Sequence, residues 1–236
     1  MRALDIPRLL NARDLGGLAT RDGARTRWRS LVRTDDLVQL DAAGLAALGE
    51  LGVRTVLDLR WPQETRAQPS PVPRALPGVH YEHISLLGGT EEAWQLRCGE
   101  VAKASWKCAV LEHVRAELRQ VMRFIAAAPP GPLVFHCVAG KDRTGIVAAL
   151  LLVLADARPE EVAADYAAST ACLREAYLER YAGMGRERVL AAVHCPEEGV
   201  HNMLRFLERA GGVRAYLADI GLGPSEIAAL RSRLRE

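Results

Sequence analysis

The sequence predicts an α/β fold: a small, mostly parallel central sheet flanked by helices, with a helical C-terminal third. Short apolar, β-branched runs alternate with helical stretches in the first part of the chain, a pattern typical of parallel βα units. From about residue 143 onward, nearly every stretch has helical character. The chain has 236 residues, of which 49% are hydrophobic and 25% charged, so we expect a single domain over residues 1–236.

The first elements are predicted from caps and breakers. Asp41 is a suitable N-cap and Gly52 a stop, which predicts a helix between them. The run VRTVLDL (53–59) predicts a buried strand, and VHYEHISL (79–86) predicts a less buried one. The proline-rich residues 69–77 predict a loop.

The middle of the chain predicts one long helix at residues 111–128, closed by Pro-Pro-Gly, and a short buried strand at residues 133–135. Residues 143–155 are apolar on nearly all sides, which indicates a central buried helix. Residues 88–108 have helical propensity but weak periodicity, so their secondary structure stays open. The other helices are predicted from Pro159 and near residues 170–181, 197–209, 213–220 and 225–234.

Charge and hydropathy exclude several classes of function. The formal net charge is +2 and the pI about 8.3, without the basic tract that nucleic-acid binding requires. The longest apolar run, residues 146–155, is about half of a membrane span. The N-terminal residues carry charges throughout, unlike a signal peptide. We therefore expect a cytoplasmic protein with no nucleic-acid partner and no stable membrane insertion, although export without a cleaved signal stays open.

Cysteine and histidine spacing argues against disulfide bonds and metal sites. The five cysteines are widely spaced and lack a C-x-x-C pair. His80 and His83 would point to opposite faces of their predicted strand. We expect no disulfide framework, no metal and no cofactor.

The chemistry is concentrated in VFHCVAGKDRTG, residues 134–145. Cys137 follows a predicted strand, and Arg143 stands at the start of a predicted helix. The C-x5-R spacing alone is a weak pattern, but a loop in this place turns its backbone N–H groups toward an anion at the positive end of the helix. Gly140 permits a backbone angle that other residues resist. The predicted phosphate-binding residues are Val138, Ala139, Gly140, Lys141, Asp142 and Arg143.

The side chains around this loop suit phosphoryl transfer. A cysteine at a helix N-terminus beside basic residues favours the thiolate, the form that attacks phosphorus. Arg143 offers a planar fork to two phosphate oxygens. Thr144 can donate a hydrogen bond to the sulfur of Cys137, and His136 can orient the loop through its ring nitrogens.

The oxygen that leaves phosphorus also needs a proton. Asp142, inside the loop, and Asp58, at the end of the strand in VLDLRWPQE, are both candidates for the general acid. We expect Asp142 to act, because its place in the loop puts it at the rim of the phosphate site.

The motifs resemble a known family over most of the chain. HCVAGKDRTG resembles the signature of cysteine-dependent protein tyrosine phosphatases, and more narrowly that of the bacterial tyrosine/serine phosphatases related to the secreted mycobacterial protein tyrosine phosphatase B. NARDLGGL (11–18) is similar to that family's N-terminal signature, LVRTDDL to its arginine-containing turn, and DLRWPQE to its D-L-R-x-x-x-E segment. YLADIGLGPSEIAALRSRL is similar to its C-terminal helices.

This resemblance implies a protein tyrosine phosphatase-like fold. It also implies that Cys137 is the nucleophile, Arg143 the phosphate clamp and Asp142 the general acid within the loop. Lys141 matches a loop lysine associated with broad specificity, phosphoinositides included.

The family also has a helical lid over its site, which we place at about residues 88–107. Trp94 and Trp106 lie in this segment, and they fit either a lid or the core. Trp61-Pro62-Gln63 invites comparison with the acid-bearing W-P-D loop of other tyrosine phosphatases. We reject that comparison, because the third residue is Gln.

The sequence therefore predicts a metal-independent phosphomonoester hydrolase that acts through a phosphocysteine intermediate. Phosphotyrosine in proteins is the first expected substrate, and phosphoserine and phosphoinositides stay open. A rhodanese-like sulfurtransferase is the alternative enzyme, but Thr144 and the apolar helix behind Arg143 fit a phosphatase better. A non-catalytic phosphate-binding module is the third alternative, although a binder has no need of a nucleophile such as Cys137.

Overall fold

The computed structural model describes residues 2–98, 102 and 104–235. Within these residues, one sheet is formed by the strands β1 (Arg13–Asp14), β2 (Leu31–Thr34), β3 (Thr55–Asp58), β4 (His80–His83) and β5 (Leu133–His136). Their spatial order is β1-β2-β5-β3-β4. Strand β1 pairs antiparallel with β2, and the other three pairings are parallel. The small, mostly parallel sheet predicted from the sequence is confirmed.

The helices of the described residues are α1 (Ala42–Glu50), α2 (Pro62–Ala67), α3 (Val72–Ala75), α4 (Glu91–Cys98), α5 (Trp106–His113), α6 (Arg115–Ala127), α7 (Asp142–Leu154), α8 (Pro159–Arg180), α9 (Arg186–Val193), α10 (Glu198–Arg209), α11 (Val213–Asp219) and α12 (Pro224–Leu234). Helix α1 has the predicted N-cap, since the Asp41 side chain accepts a hydrogen bond from the Gly44 backbone N–H. Gly52, just beyond its end, has φ +75° and stops it as predicted.

The central position in the sheet belongs to β5, which pairs with β2 on one side and β3 on the other. The parallel register places the last residues of these strands, Thr34, His136 and Asp58, at the same level. The segments that follow the strands therefore leave the sheet along one edge. In open α/β sheets, this carboxyl edge is where ligands bind.

Alternate side chains of β5 enter two different cores. Leu133 and Phe135 belong to the larger core, which contains α7 and the C-terminal helices. Val134 faces a smaller core with Leu48 of α1 and Val72 of α3. Because both faces are covered, β5 has the continuous apolar sequence of a buried parallel strand. The helical C-terminal third packs on one side of the sheet, as predicted.

Several predicted boundaries need correction. Residues 111–128 are not one helix: the buried Val114, at φ −114° and ψ 38°, separates α5 from α6. The break lets α5 pack on α10 while α6 packs on α12. Residues 170–181 do not begin a new helix, because α8 runs without interruption from Pro159 to Arg180.

Three elements were not predicted as they stand. The segment LVRTDDL, which resembles a turn, begins with the buried strand β2. The proline-rich residues 69–77 include the short helix α3, with proline in its first turn. Helix α9 was missed, because only Val189 and Val193 of its eight residues are buried and the apolar pattern is weak.

The segment predicted as a lid is described only in part. Residues 99–101 and 103 lie outside the described residues. Trp94 of α4 is buried in the larger core and meets Trp106 edge-on, with ring centroids 5.9 Å apart. A covering role for residues 88–107 stays a prediction. No helix among the described residues is long and apolar enough to span a membrane.

Candidate active site

The predicted nucleophile lies at the carboxyl end of the central strand. Cys137 directly follows β5, and α7 begins at Asp142. The cysteine is only 3% exposed, so its sulfur sits at the base of the loop. Residues 138–143, the predicted phosphate-binding stretch, form the turn from the strand into the first residues of α7. The predicted anion-binding loop requires this arrangement, in which a strand leads through a tight loop into the N-terminus of a helix.

The loop is shaped by one glycine and held from behind by two side chains. Gly140 has φ +62°, and a Cβ there would lie 2.3 Å from the carbonyl oxygen of Thr34. Asn11 Nδ2 donates to the carbonyls of Ala139 and Gly140 at 2.9 and 3.2 Å. Arg33 Nη2 donates to the Gly140 carbonyl at 2.7 Å. Because C=O and N–H of a trans peptide point in opposite directions, carbonyls held on the outside turn the N–H groups inward.

Both ends of the loop are also fixed. Val138 is exposed at the surface, and its carbonyl accepts a hydrogen bond from the Asp36 backbone N–H at 3.0 Å. At the other end, Gly145 lets α7 approach α8, since a Cβ there would lie 2.8 Å from the ring of Tyr166.

A buried aspartate of α8 anchors the arginine that holds the loop. Asp165 accepts from Arg33 Nη1 at 2.6 Å, from Arg13 Nε at 3.0 Å and from Arg2 Nη1 at 2.7 Å. Burial acts to raise the pKa of Asp165, but the three arginines outweigh it and hold that pKa well below its usual range. Burial and the neighbouring Arg13 lower the pKa of Arg33 to about 10, so its guanidinium stays charged at neutral pH.

Arg143 is held in a fixed orientation by a carboxylate from α2. Its Nη1 and Nη2 donate to Glu64 Oε2 and Oε1 at 2.5 and 3.0 Å. Its guanidinium carbon lies 4.8 Å from the centre of the Trp61 ring. Burial acts to lower the pKa of Arg143, but Cys137 and Glu64 outweigh it and raise that pKa. Arginine carries five N–H donors, and Glu64 takes two of them.

Two predicted supporting side chains contact the cysteine. Thr144 Oγ1 donates to Cys137 Sγ at 3.1 Å. The fully buried His136 has Nδ1 3.2 Å from the Cys137 carbonyl oxygen. The same imidazole lies 3.9 Å from Asp36 and 3.7 Å from Asp58. The structure thus places His136 beneath the loop, between two carboxylates.

Asp58 is fully buried, and both of its carboxylate oxygens accept hydrogen bonds. Both of its oxygens accept from Arg60, and Oδ2 also accepts from the Tyr81 hydroxyl at 2.6 Å. Burial acts to raise the pKa of Asp58, but His136, Arg60 and Tyr81 together lower it below its usual range. The structure therefore shows Asp58 as a paired carboxylate whose contact toward the loop is with the His136 ring, at 3.7 Å.

Asp142 and Lys141 form a pair at the first turn of α7. The Asp142 side chain is 39% exposed, and its Oδ2 lies 3.2 Å from Lys141 Nζ. Its Oδ1 accepts from the Tyr166 hydroxyl at 2.8 Å. Lys141 Nζ also donates to the carbonyl of Ala192 in α9 at 2.5 Å. The lysine side chain is thus directed to α9.

Sequence reasoning missed the side chains that hold the loop and the arginine from outside. They are Asn11, Arg33, Glu64, Asp165 and Tyr166. A usable signal was present for two of them: Arg33 stands in the apolar run LVRT, and Asp165 in VAADYAA. A charge in a stretch that is otherwise buried needs a partner, so an ion pair could have been predicted at each of them.

The described residues contain no group of three or more His, Cys, Asp and Glu side chains placed to hold a metal ion. The two histidines of β4 have other contacts. The His80 ring packs against Phe124, and His83 Nε2 lies 2.8 Å from the Arg60 carbonyl oxygen.

Comparison with known proteins identifies the family. A family model described as "Tyrosine phosphatase family" matches residues 4–236. A tyrosine-protein phosphatase of Nostoc commune is 33% identical over 226 residues, which cover 87% of this chain and 74% of the relative. The triple specificity protein phosphatase PtpB of Mycobacterium tuberculosis is 29% identical over 248 residues, covering 92% of this chain and 87% of PtpB. The crystal structure of P. aeruginosa TpbA gives a TM-score of 0.33 at 19% identity, covering 82% of this chain and 88% of TpbA. Because the family model spans nearly the whole sequence, the chain belongs to the tyrosine phosphatase family.

Proposed function

We propose that the chain hydrolyses phosphotyrosine in proteins through a phosphocysteine intermediate on Cys137. The observation that supports this mechanism is the arrangement of groups around Cys137. The recessed sulfur of Cys137 has the Thr144 hydroxyl at 3.1 Å and lies in a loop whose carbonyls are held outside. Arg143 begins the same helix, fixed by Glu64. This combination suits a nucleophile that faces a bound phosphoryl group.

In the first step, the Cys137 thiolate attacks phosphorus, so that an S–P bond forms while the P–O bond to the leaving group breaks. Asp142 gives its proton to the leaving oxygen. In the second step, water attacks phosphorus and gives a proton to Asp142, the S–P bond breaks and inorganic phosphate departs. The Thr144 hydroxyl donates to the sulfur as it leaves. The loop N–H groups and Arg143 stabilise the charge on the phosphoryl oxygens in both steps.

The geometry favours Asp142 over Asp58 as the general acid. Asp142 is partly exposed at the first turn of α7, so a leaving oxygen at the surface of the loop can reach its carboxyl group. Asp58 has no exposed surface, so its carboxyl group cannot reach a leaving oxygen outside the loop. Both aspartates accept from a tyrosine hydroxyl, so exposure is what separates the two candidates.

The surroundings of the loop favour protein phosphotyrosine over other phosphomonoesters. Lys141 is 8% exposed and engaged with Asp142 and Ala192, a poor arrangement for binding a second phosphate of an inositol lipid. Cys137 is recessed, and a long phosphotyrosine side chain reaches such a nucleophile more readily than phosphoserine. Protein tyrosine phosphatase activity is also the activity named for the Nostoc relative.

The test is phosphate release from p-nitrophenyl phosphate in EDTA, with wild type against Cys137→Ser. We expect activity in the wild type and a loss of at least about 1,000-fold in the variant, because a serine at this position is a much weaker nucleophile. A radiolabelled substrate should trap label on Cys137 and not on the variant. Equal activity in both proteins would exclude the phosphocysteine route. A persulfide on Cys137 with thiosulfate, without phosphate release, would favour a sulfurtransferase.

The substrate is tested by comparing a phosphotyrosine peptide, the matching phosphoserine peptide and a phosphoinositide at equal concentration. We expect the highest kcat/KM with phosphotyrosine. A higher value with the lipid would contradict the interpretation of Lys141.

A further inference from the structure

The carboxylate of Asp142 is held on both oxygens by side chains outside the loop. Oδ1 accepts from the Tyr166 hydroxyl at 2.8 Å, and Oδ2 lies 3.2 Å from Lys141 Nζ. An aspartate at the surface of a first helical turn is otherwise free to change rotamer. With both oxygens engaged, the carboxylate keeps one orientation relative to the loop.

Tyr166 is itself a rigid support. It is 1% exposed in the middle of α8. Its ring packs against Gly145 of α7, and the Lys107 ammonium lies 3.7 Å from the centre of the ring. A cation over a buried aromatic face is attracted to the ring and so stabilises this ring position. The phenol oxygen is therefore presented to Asp142 from a position that cannot readily move.

Burial raises the pKa of Tyr166 strongly, and the nearby Asp142 carboxylate raises it further. The phenol therefore keeps its proton over the working pH range and acts as a hydrogen-bond donor to Oδ1. Cys195, which is buried nearby, also interacts with this hydroxyl.

We propose that Tyr166 is a positioning residue for proton transfer: its hydroxyl holds Oδ1 of Asp142 and so fixes the orientation in which the carboxyl group faces the leaving oxygen. This inference rests on the proposed role of Asp142 as general acid, and it adds the residue that fixes the orientation of the Asp142 carboxyl group. Tyr166 does not touch the phosphoryl group. Its effect must therefore appear in the step that depends on the acid, and scarcely in substrate binding.

The experiment measures kcat and KM for a series of aryl phosphates whose leaving phenols differ in acidity, with wild type, Tyr166→Phe, Asp142→Asn and the double variant. For Tyr166→Phe we expect a loss in kcat of about tenfold with a poor leaving group and less than about threefold with a good one. KM should change little. The double variant should lose no more than Asp142→Asn alone, because the two residues act on one proton transfer.

Tyr216→Phe is the matched control. Tyr216 is also 1% exposed, and its hydroxyl donates to a single carbonyl, that of Leu111, at 2.7 Å. This variant should lose similar stability without changing the dependence of kcat on the leaving group. A Tyr166→Phe loss that is equal across the series, or that adds fully to the Asp142→Asn loss, would overturn the proposal.

The same measurements distinguish a failure of the Tyr166 proposal from a failure of the proposed function. Wild type without phosphate release would overturn both. If Asp142→Asn loses the same activity with every leaving group, the general-acid assignment fails, and the role of Tyr166 fails with it while the phosphocysteine route stands. If Tyr166→Phe does not fold, 3,5-difluorotyrosine at position 166 keeps the ring and makes its hydroxyl a stronger donor. An unchanged dependence on the leaving group would then contradict the proposal.

Discussion

Glu64 orients the Arg143 side chain although it lies outside the loop. Its two oxygens accept from the two terminal nitrogens of Arg143, and Oε2 also accepts from the Trp61 backbone N–H at the start of α2. The guanidinium is therefore oriented before any phosphate arrives. Such preorganisation lowers the cost of reaching the transition state, because the donor fork need not be ordered during the reaction.

Glu64→Gln should reduce kcat/KM for an aryl phosphate by about tenfold or more, since a charge-assisted bond to Arg143 is worth roughly 1.5–3 kcal/mol. The steady-state rates check this, with Glu50→Gln on the exposed face of α1 as control. The control should stay within about twofold of wild type. A Glu64→Gln rate equal to that of the control would show that Arg143 is oriented without its carboxylate partner.

At the scale of elements, the loop after β5 is rigid because its backbone is held in a single conformation. Gly140 adopts φ +62°, and the carbonyl of Thr34 fills the space that a Cβ would need. Asn11 and Arg33 then hold the loop carbonyls on the outside. The conformation of the proposed anion-binding loop thus depends on packing against β2 and the N-terminal segment, although its own residues are consecutive in the sequence.

Gly140→Ala should cost about 1–2 kcal/mol for the left-handed conformation alone, and the clash with Thr34 must also displace the loop. We expect kcat/KM to fall by at least about 100-fold, because a shift near 1 Å misplaces the donors. Vanadate binding by calorimetry should be lost in parallel. Gly49→Ala in α1, where a Cβ would meet nothing within 4 Å, should leave vanadate binding unchanged. Retained vanadate affinity in Gly140→Ala would contradict a preformed anion-binding loop.

The elements that could be predicted from the sequence are those whose signal is local. The strand before Cys137, the apolar helix after Arg143 and the cap at Asp41 each follow from residues next to one another in the chain. Glu64 and Asn11 could not be assigned a role, because their partners in the loop are distant in sequence and no pattern in one chain pairs them. The break at Val114 depends on how α5 and α6 meet different helices, which is a property of the folded molecule.

At the scale of the whole molecule, Asp165 joins three regions of the chain. Arg2 and Arg13 come from the N-terminal segment, Arg33 from β2 and Asp165 from α8. Through Arg33, the same cluster holds the loop. Folding of the N-terminal segment and the shape of the loop are therefore coupled, because one buried carboxylate pairs with the arginines of both.

Asp165→Asn should destabilise the protein by about 3–5 kcal/mol, since it leaves buried guanidinium groups without their counter-ion. For a chain of this length, we expect the melting midpoint to fall by roughly 10 °C. Asp219→Asn is the control, because Asp219 pairs with Arg115 at the surface and should change stability by less than about 1 kcal/mol.

The difference between wild type and Asp165→Asn should also depend on pH in one direction. The folded pKa of Asp165 lies below its unfolded value, so the unfolded chain binds the proton first as the solution is acidified. The stabilisation by Asp165 is therefore complete above the unfolded pKa of about 4 and is lost as the pH falls toward the folded pKa. Urea denaturation at a series of pH values should show the two proteins converging as the pH falls below about 4. A difference that stays constant or widens on acidification would mean that the carboxylate charge of Asp165 is not what holds the cluster together.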